Sequence, residues 1–295
     1  MTAGGVEPDV EITRPRKLLW PALGVTKERY VAYLDAVADH MLPWLARRPL
    51  TVVRAPDGVD GKRYFQKTIS SYAPPWIPTV ELPAPSAGRS VPYPICDDRA
   101  TLRWLGNQAA LEFHPAPVRV DRLDRPDLLV VDIDPPDDAF DAAIEVARLV
   151  LEVLEDLGLP SGIKTTGGKG LHIVVPIERR YDAGQLRSAA GKLADIVVDG
   201  HPDLVTDEFR KAKRAGRVML DPSRNGTTAT IVAPFSPRLN AAGTVSFPVV
   251  AEELGSIAPG DFTLTNVPSL LDRPGPARWM TLAGSSRRLP SALTR

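Results

Sequence analysis

Cysteine is almost missing from this chain of 295 residues, which contains only Cys96. One cysteine excludes an internal disulfide framework and any zinc site built on several cysteines, and it suits a reducing compartment. No apolar run approaches the roughly 18 residues of a membrane span, and the first residues lack the basic and apolar regions of a signal peptide. We therefore expect a cytoplasmic protein with no membrane partner.

An excess of charge is missing as well, because Lys plus Arg and Asp plus Glu both number 36. Net charge therefore gives no indication of a nucleic-acid partner. Two local basic runs stand out, at 14–17 and 210–217. Taken alone, each run is more typical of a solvated surface than of a phosphate-binding track.

Proline is abundant, with 30 residues, and it concentrates between Ala73 and Pro94. Because Trp76, Ile77 and Tyr93 would anchor this stretch, we predict a long ordered loop at about 73–95 rather than a disordered linker. The chain shows no internal repeat. We expect one domain over residues 1–295 with this loop inside it.

The pattern of apolar residues predicts helices and strands in an order that indicates the fold class. A helix should begin after Thr26 and run to about residue 48, with Pro43 kinking it or ending it early. Further predicted elements are strands at 50–54 and 64–69, a helix and strand within 101–113, a strand at 128–133, a helix opened by Asp137 and Asp138 and closed by Gly158, a hairpin at 163–177, a helix at 185–198, and strands at 217–221 and 228–232. The β-α-β-β-α-β order favours an α+β fold with a mixed β-sheet and flanking helices.

Two aspartates one residue apart, Asp132 and Asp134, end the apolar strand Leu-Leu-Val-Val-Asp-Ile-Asp. A strand alternates its side chains, so both carboxylates point the same way, and they repel each other unless a cation lies between them. Oxygen ligands select Mg²⁺ or Mn²⁺, which protein carboxylates usually hold together with substrate phosphates. Asp221 ends another predicted strand and would complete a two-metal site. The alternative is that the pair are ordinary turn or helix-cap acids.

A glycine-rich turn, Thr165-Thr166-Gly167-Gly168-Lys169-Gly170-Leu171-His172, offers backbone N–H groups, a lysine charge and an imidazole to a phosphate. It is not a P-loop, because the spacing of that motif is absent. A structural hairpin turn is the simpler alternative, and His172 would then be a core histidine.

Several ordered segments resemble the polymerase domain of bacterial ligase D, in the archaeo-eukaryotic primase superfamily. They are Glu-Phe-His-Pro at 112–115, Arg-Leu-Asp-Arg-Pro at 122–126, Val-Asp-Ile-Asp-Pro at 131–135, the turn at 164–172, Asp221 with Arg-Asn-Gly at 224–226, and Ala-Pro-Phe-Ser-Pro-Arg at 233–238. The match runs from about Lys17 to Val267. It implies a primase-polymerase fold and a template-directed nucleotidyl transferase using Mn²⁺ or Mg²⁺, with ribonucleotides favoured.

The resemblance also implies roles for individual residues. Asp132, Asp134 and Asp221 match the catalytic metal carboxylates. The nucleotide-binding positions are Thr166, Gly167, Lys169, His172, Arg224, Arg238 and His114. Tyr64 and Phe65 match aromatic residues that stack on DNA beside a gap, and Lys17 and Lys27 match lysines that bind a downstream 5′-phosphate.

Two departures from the family pattern affect nucleotide contacts. Pro222 follows Asp221 where the family more often has an aromatic residue, and Ile231 occupies a position that is often polar. No ligase or phosphoesterase region fits in 295 residues, so we expect a stand-alone relative.

The expected partners are gapped or end-resected DNA with a 5′-phosphate, nucleoside triphosphates, and a separate DNA ligase and end-binding protein, at the nucleoid. The predicted function is filling short gaps in DNA during end joining or excision repair. Alternatives are a primase that makes primers de novo, a haloacid-dehalogenase-like phosphohydrolase with Asp132 as nucleophile, and a nucleic-acid-binding module with a decayed site.

Overall fold

The computed structural model describes residues 8–84 and 88–294. Its strands are β1 Leu18–Trp20, β2 Val25–Thr26, β3 Leu50–Arg54, β4 Tyr64–Gln66, β5 Thr79–Ala84, β6 Arg89–Pro94, β7 Ala110–Pro115, β8 Leu128–Asp134, β9 Gly162–Thr165, β10 Leu171–Pro176, β11 Val205–Thr206, β12 Val218–Asp221 and β13 Pro248–Val249. Its helices are α1 Lys27–Leu45, α2 Arg99–Asn107, α3 Phe140–Asp156, α4 Ala183–Gly200, α5 Pro274–Leu282 and α6 Ser291–Thr294. Within this part of the chain no helix has the length and apolarity needed to cross a membrane.

The central sheet has the strand order β11-β12-β8-β10-β9-β13. Strands β12, β8, β10, β9 and β13 pair antiparallel, whereas β11 runs parallel to β12. The predicted mixed sheet of an α+β fold is therefore confirmed. The registers place Asp132 opposite both His172 and Asp221.

The two faces of this sheet carry different side chains because strand residues alternate. One face buries Leu129, Val131 and Ile133 in the main core, which also includes the apolar stripes of α3 and α4. The other face carries Leu128 and Val130 and then Asp132 and Asp134. A small apolar cluster covers the beginning of that face, made of Trp44, Leu128, Val130, Val174, Ile231, Trp279 and Leu282.

A second sheet, β4-β3-β7, lies beside α2, and α1 packs against α2. Thr26 caps α1 as predicted, since its hydroxyl accepts from the Arg29 N–H at 3.3 Å. The helix continues only two residues beyond Pro43, so its early end is also confirmed. Strand β4 ends at Gln66, three residues short of the predicted limit.

The proline-rich segment is not the long loop that we predicted, because it contains the antiparallel hairpin β5–β6. Val91, Tyr93 and Ala84 form a small apolar cluster between its strands. Both strands are edge strands, where a proline without an N–H group is tolerated. Ile77 and Tyr93 are buried as predicted, and the part of the segment at 85–87 lies outside the described residues.

The predicted strand at 228–232 is wrong, because this stretch has no regular structure. It runs beside β7 with isolated backbone bonds, in which Ile231 donates to the Pro115 carbonyl and Ala233 to the Phe113 carbonyl. The stretch nevertheless closes the open face of the sheet, since Ile231 belongs to the apolar cluster there.

Candidate active site

The three predicted metal carboxylates line one cleft of about 760 Å³. Asp132 and Asp134 project from the same face of β8, and Asp221 lies directly opposite Asp132 on the antiparallel strand β12. The cleft therefore forms over the last residues of β8, where this strand pairs with β12, and it brings together the three carboxylates that we expected to converge.

Arginine guanidinium groups and the His172 ring compensate the carboxylates. Arg224 donates from Nε to Asp132 Oδ2 at 2.8 Å, and His172 Nε2 lies 3.3 Å from Asp132 Oδ1. Burial alone would raise the pKa of Asp132, but His172 and Arg224 hold it well below its usual range. Arg214 donates to Asp134 Oδ2 at 2.8 Å. Asp132 is thus an ionised acid in a nearly closed environment.

The donor set suits a hard divalent cation, because it consists of carboxylate oxygens. Within the described residues, however, no group of three or more His, Cys, Asp or Glu side chains stands arranged to hold a metal ion. Arg224 and Arg214 occupy oxygens that an ion would need. An ion held by Asp132, Asp134 and Asp221 would have to displace these guanidinium groups, so the two-metal site stays a prediction.

The glycine-rich turn joins β9 to β10 at the edge of this cleft. The Thr166 hydroxyl accepts from the Gly168 N–H at 3.1 Å and donates to the Gly170 carbonyl at 3.0 Å, so it closes the turn. Gly167 has a φ of 68° and packs against Arg238. A Cβ on Gly170 would lie 2.3 Å from the Ile133 carbonyl oxygen. The glycines therefore let the turn approach the end of β8.

Lys169 reaches from the turn to that strand end. Its Nζ donates to the Pro135 carbonyl at 2.7 Å and lies 3.1 Å from Asp137 and 3.4 Å from Asp134. The ammonium group thus stands beside a catalytic candidate on the rim of the cleft, where a phosphate can reach it.

His172 belongs to a buried chain of polar groups that the sequence analysis missed. Lys164, its partner in register on β9, places Nζ 3.0 Å from His172 Nδ1 and donates to the Ser246 hydroxyl at 2.7 Å. Burial and the Lys164 charge lower the pKa of His172 to about 4, and burial lowers the pKa of Lys164 well below its usual value. The sequence signal that could have identified Lys164 was a lysine inside a strand whose other residues are buried.

Glu112 is a second missed residue, and it joins two predicted ones. One carboxylate oxygen lies 2.8 Å from His114 Nε2, and the other lies 3.2 Å from Arg238 Nε and accepts from the Leu239 N–H. Arg238 also donates to the Thr166 carbonyl at 2.9 Å. Glu112 therefore orients His114 and Arg238, and its place two residues before His114 on one strand was the sequence signal.

The basic run at 210–217 is more than a solvated surface. Arg214 is buried against Asp134, which contradicts our interpretation for this residue. Arg210 and Lys211 line the cleft, and so does Phe209, which is 73% exposed and was not predicted.

The four predicted DNA-binding residues divide between separate locations. Phe65 lines the cleft, 60% exposed, with its ring centroid 6.2 Å from that of His114. Tyr64, the preceding residue on the strand, lines a neighbouring depression instead. Lys17 and Lys27 adjoin each other outside the cleft, since the Lys27 N–H donates to the Lys17 carbonyl at 2.8 Å.

The fold and the carboxylate cleft define the class of this protein as a primase-polymerase domain. Residues 26–277 match the family described as LigD, primase-polymerase domain, and the chain belongs to that family. The predicted resemblance is thereby confirmed. A solved structure, the polymerase domain from Mycobacterium tuberculosis Ligase D in complex with DNA, is 32% identical with a TM-score of 0.87, and the match covers 94% of this chain and 99% of that one.

Curated full-length relatives show a similar level of identity. The multifunctional non-homologous end joining DNA repair protein LigD of Mycobacterium tuberculosis is 35% identical over 278 residues, covering 91% of this chain and 36% of that protein. The bifunctional non-homologous end joining protein LigD of Bacillus subtilis is 31% identical over 273 residues, covering 92% and 44% respectively. The chain thus spans less than half the length of these relatives.

Proposed function

We propose that this domain is a metal-dependent, template-directed nucleotidyl transferase that fills short gaps in DNA during repair. One observation carries the proposal: three carboxylates converge in a cleft whose other walls are cationic. Carboxylates that could bind a divalent ion and cationic donors that could bind phosphates lie in the same cleft. This combination suits in-line phosphoryl transfer.

Asp132, Asp134 and Asp221 would hold Mn²⁺ or Mg²⁺, which when bound supplies charge for the attacking hydroxyl and the leaving pyrophosphate. Until then Arg224 pairs with Asp132 and Arg214 pairs with Asp134. We expect their guanidinium groups to turn toward substrate phosphates, where they would form charge-assisted hydrogen bonds.

The incoming triphosphate would lie between the glycine-rich turn and Arg238. Lys169 and Arg224 offer charge, and His172 offers a ring N–H beside Asp132. Because Thr166 donates within the turn and the Gly167 carbonyl accepts from the Thr244 hydroxyl, we assign both residues to the shape of the turn. His114 stands on the opposite wall near Phe65, where it would contact the nucleotide from the other side.

DNA would approach along the wall that carries Phe65, whose exposed ring is free to stack on a base. Tyr64 would extend this surface. Lys17 and Lys27 would bind a downstream 5′-phosphate. Burial, and then the positive charges of Lys17, Arg14 and Arg54, lower the pKa of Lys27. The same cluster of positive charge would attract the phosphate. Lys27 is the first residue of α1, and the positive end of the helix dipole would add to this attraction.

We assign this activity to end joining ahead of excision repair, because the curated relatives are named as end-joining proteins. The partners would then be gapped or end-resected DNA, nucleoside triphosphates, a DNA ligase and an end-binding protein at the nucleoid. Family membership removes the phosphohydrolase alternative. De novo priming remains the competing function, and a requirement for a 5′-phosphate would argue against it.

The first test replaces each catalytic candidate, by Asp132→Ala, Asp134→Ala and Asp221→Ala. Primer extension with Mn²⁺ on a gapped duplex should disappear, while gel shifts should show nearly unchanged DNA binding, because the base and phosphate contacts remain. Asp195→Ala, on the exposed side of α4, is the matched control. Normal extension by any of the three variants would refute the metal assignment.

The second test compares gaps that end in a 5′-phosphate or a 5′-hydroxyl. Wild type should bind the phosphate end more tightly, by at most a few kcal/mol, from charge-assisted bonds worth about 1.5–3 kcal/mol each. A Lys17→Ala, Lys27→Ala double variant should lose the difference. Equal affinity of wild type for the 5′-phosphate and 5′-hydroxyl ends would favour priming.

A third test concerns the sugar of the incoming nucleotide. When ribonucleotides compete with deoxyribonucleotides on the same gap, ribonucleotides should be used at least as readily.

A further inference from the structure

A second cleft, also of about 760 Å³, opens at the other end of the sheet face that carries the catalytic candidates. It begins at Leu128 and Pro176, which pair in register four residues before Asp132 and four after His172. At about 3.3 Å per residue the two clefts are roughly 13 Å apart along the strands. The apolar cluster that includes Val130, Val174 and Trp279 separates them.

The lining of this second cleft is strongly cationic, in a chain whose net charge is zero. Its charged residues are Arg48, Arg119, Arg122, Arg125, Arg179, Arg180, Asp127 and Glu178. Six arginines against two acids leave an excess of four positive charges. Two acids outside the lining, Asp121 and Asp124, reduce that excess to two, because they pair with Arg179 and Arg125.

Two of the arginines, Arg48 and Arg119, are held in place by hydrogen bonds to Asp127. Asp127 accepts from both guanidinium N–H₂ groups of Arg48, at 2.6 and 2.8 Å, and from Arg119 Nε at 2.7 Å. The Arg48 side chain is only 1% exposed. Arg48 forms a bidentate ion pair with Asp127 at the base of the cleft, and Arg119 binds the same carboxylate. These bonds fix the shape of the cleft.

Hydrogen-bond donors remain unused around it. Trp44 Nε1, Arg48 Nε and Arg179 Nε are buried N–H groups without an acceptor. Arg122 is exposed, and among the described residues its side chain has no ion pair or hydrogen bond. Unused donors and excess positive charge together favour a ligand that carries several acceptor oxygens and negative charge.

We infer that this arginine cleft is a second phosphate-binding site that holds the sugar–phosphate backbone of a nucleic-acid strand outside the catalytic cleft. Guanidinium groups match phosphate oxygens in geometry and carry no base preference. The only aromatic residue in the lining, Trp44, is buried, so no ring is available to stack on the base of a free nucleotide. The inference requires phosphate binding alone and does not depend on the proposed polymerase activity.

Arg122→Glu is the decisive variant, because among the described residues this exposed side chain makes no hydrogen bond or ion pair, so the fold should survive. Arg187→Glu, on the exposed side of α4, makes the same charge change elsewhere. Binding of a labelled single strand longer than the roughly 16 nucleotides of a large single-strand site is measured by fluorescence anisotropy in EDTA over a range of salt.

We expect Arg122→Glu to weaken binding at least fivefold and to reduce the logarithmic salt slope by about 0.7 for each phosphate that the cleft no longer neutralises. Arg187→Glu should change affinity less than twofold, and primer extension on a short substrate should be normal for both. Equal affinities for the two variants would overturn the inference.

Competition experiments distinguish a nucleic-acid strand from inorganic phosphate and from a nucleoside triphosphate as the ligand of this cleft. Unlabelled strand should displace the label at far lower concentration than inorganic phosphate or a nucleoside triphosphate. If the triphosphate competes as well as the strand, and only when Arg122 is present, the cleft is a nucleotide site and the strand assignment is wrong. If poly-glutamate binds through Arg122 and the oligonucleotide does not, the ligand is an acidic protein, which also overturns it.

Discussion

Glu112 offers the sharpest test of how the candidate active site is held together. Its carboxylate is buried and joins His114, Arg238 and the Leu239 N–H group. Burial alone would raise the pKa of Glu112, but these partners lower it to about 2. Glu112→Gln keeps the shape of the side chain and removes the charge.

The expected loss of stability follows from this pKa. One pKa unit corresponds to about 1.4 kcal/mol, so a carboxyl lowered from 4.5 to about 2 contributes on the order of 3 kcal/mol to the free energy of unfolding. The contribution is complete above the unfolded pKa of 4.5. It declines as the pH falls from there toward about 2, because the unfolded carboxyl then binds a proton that the folded one does not.

Urea denaturation of wild type and Glu112→Gln at a series of pH values measures this difference. The variant should be less stable by on the order of 3 kcal/mol at about pH 7, and the two curves should converge as the pH falls from 4.5 to about 2. The KM for nucleotide should rise as well, because His114 and Arg238 lose their common partner. Glu253→Gln, which breaks a 2.7 Å pair with Arg273 away from the cleft, should leave KM unchanged. A stability difference independent of pH would refute the reasoning.

Two further variants test the turn and the buried lysine. Gly170→Ala should destabilise the fold by roughly 1–3 kcal/mol and weaken nucleotide binding, because its Cβ would meet the Ile133 carbonyl at 2.3 Å. Gly168→Ala, whose Cβ would lie 3.4 Å from the nearest atom, is the matched control, and equal thermal stability of the two variants would contradict the close approach. Lys164→Met should leave stability equal or higher, since burying a cation costs free energy, yet raise the KM for nucleotide because His172 loses its partner at Nδ1. An unchanged KM would exclude a positioning role for Lys164.

The sequence by itself determined the elements whose signals are local. Alternating apolar residues and turn glycines predicted β8, β9 and β10, and the positions of Asp132 and Asp134 on one face followed from the strand period. The ordered segments at 112–115, 122–126, 131–135, 164–172, 221–226 and 233–238 together predicted the family. Proline content misled the prediction at 73–95, because edge strands tolerate a residue that central strands exclude.

Only the tertiary structure decided which charges meet. Pairings such as Glu112 with Arg238 and Lys164 with Ser246 join residues 126 and 82 positions apart, and no local pattern encodes them. The same holds for Arg214, which sequence composition placed in a solvated run and the fold buries against Asp134. Burial makes these pairings necessary, because a charge withdrawn from water must be compensated by whichever partner the packing supplies.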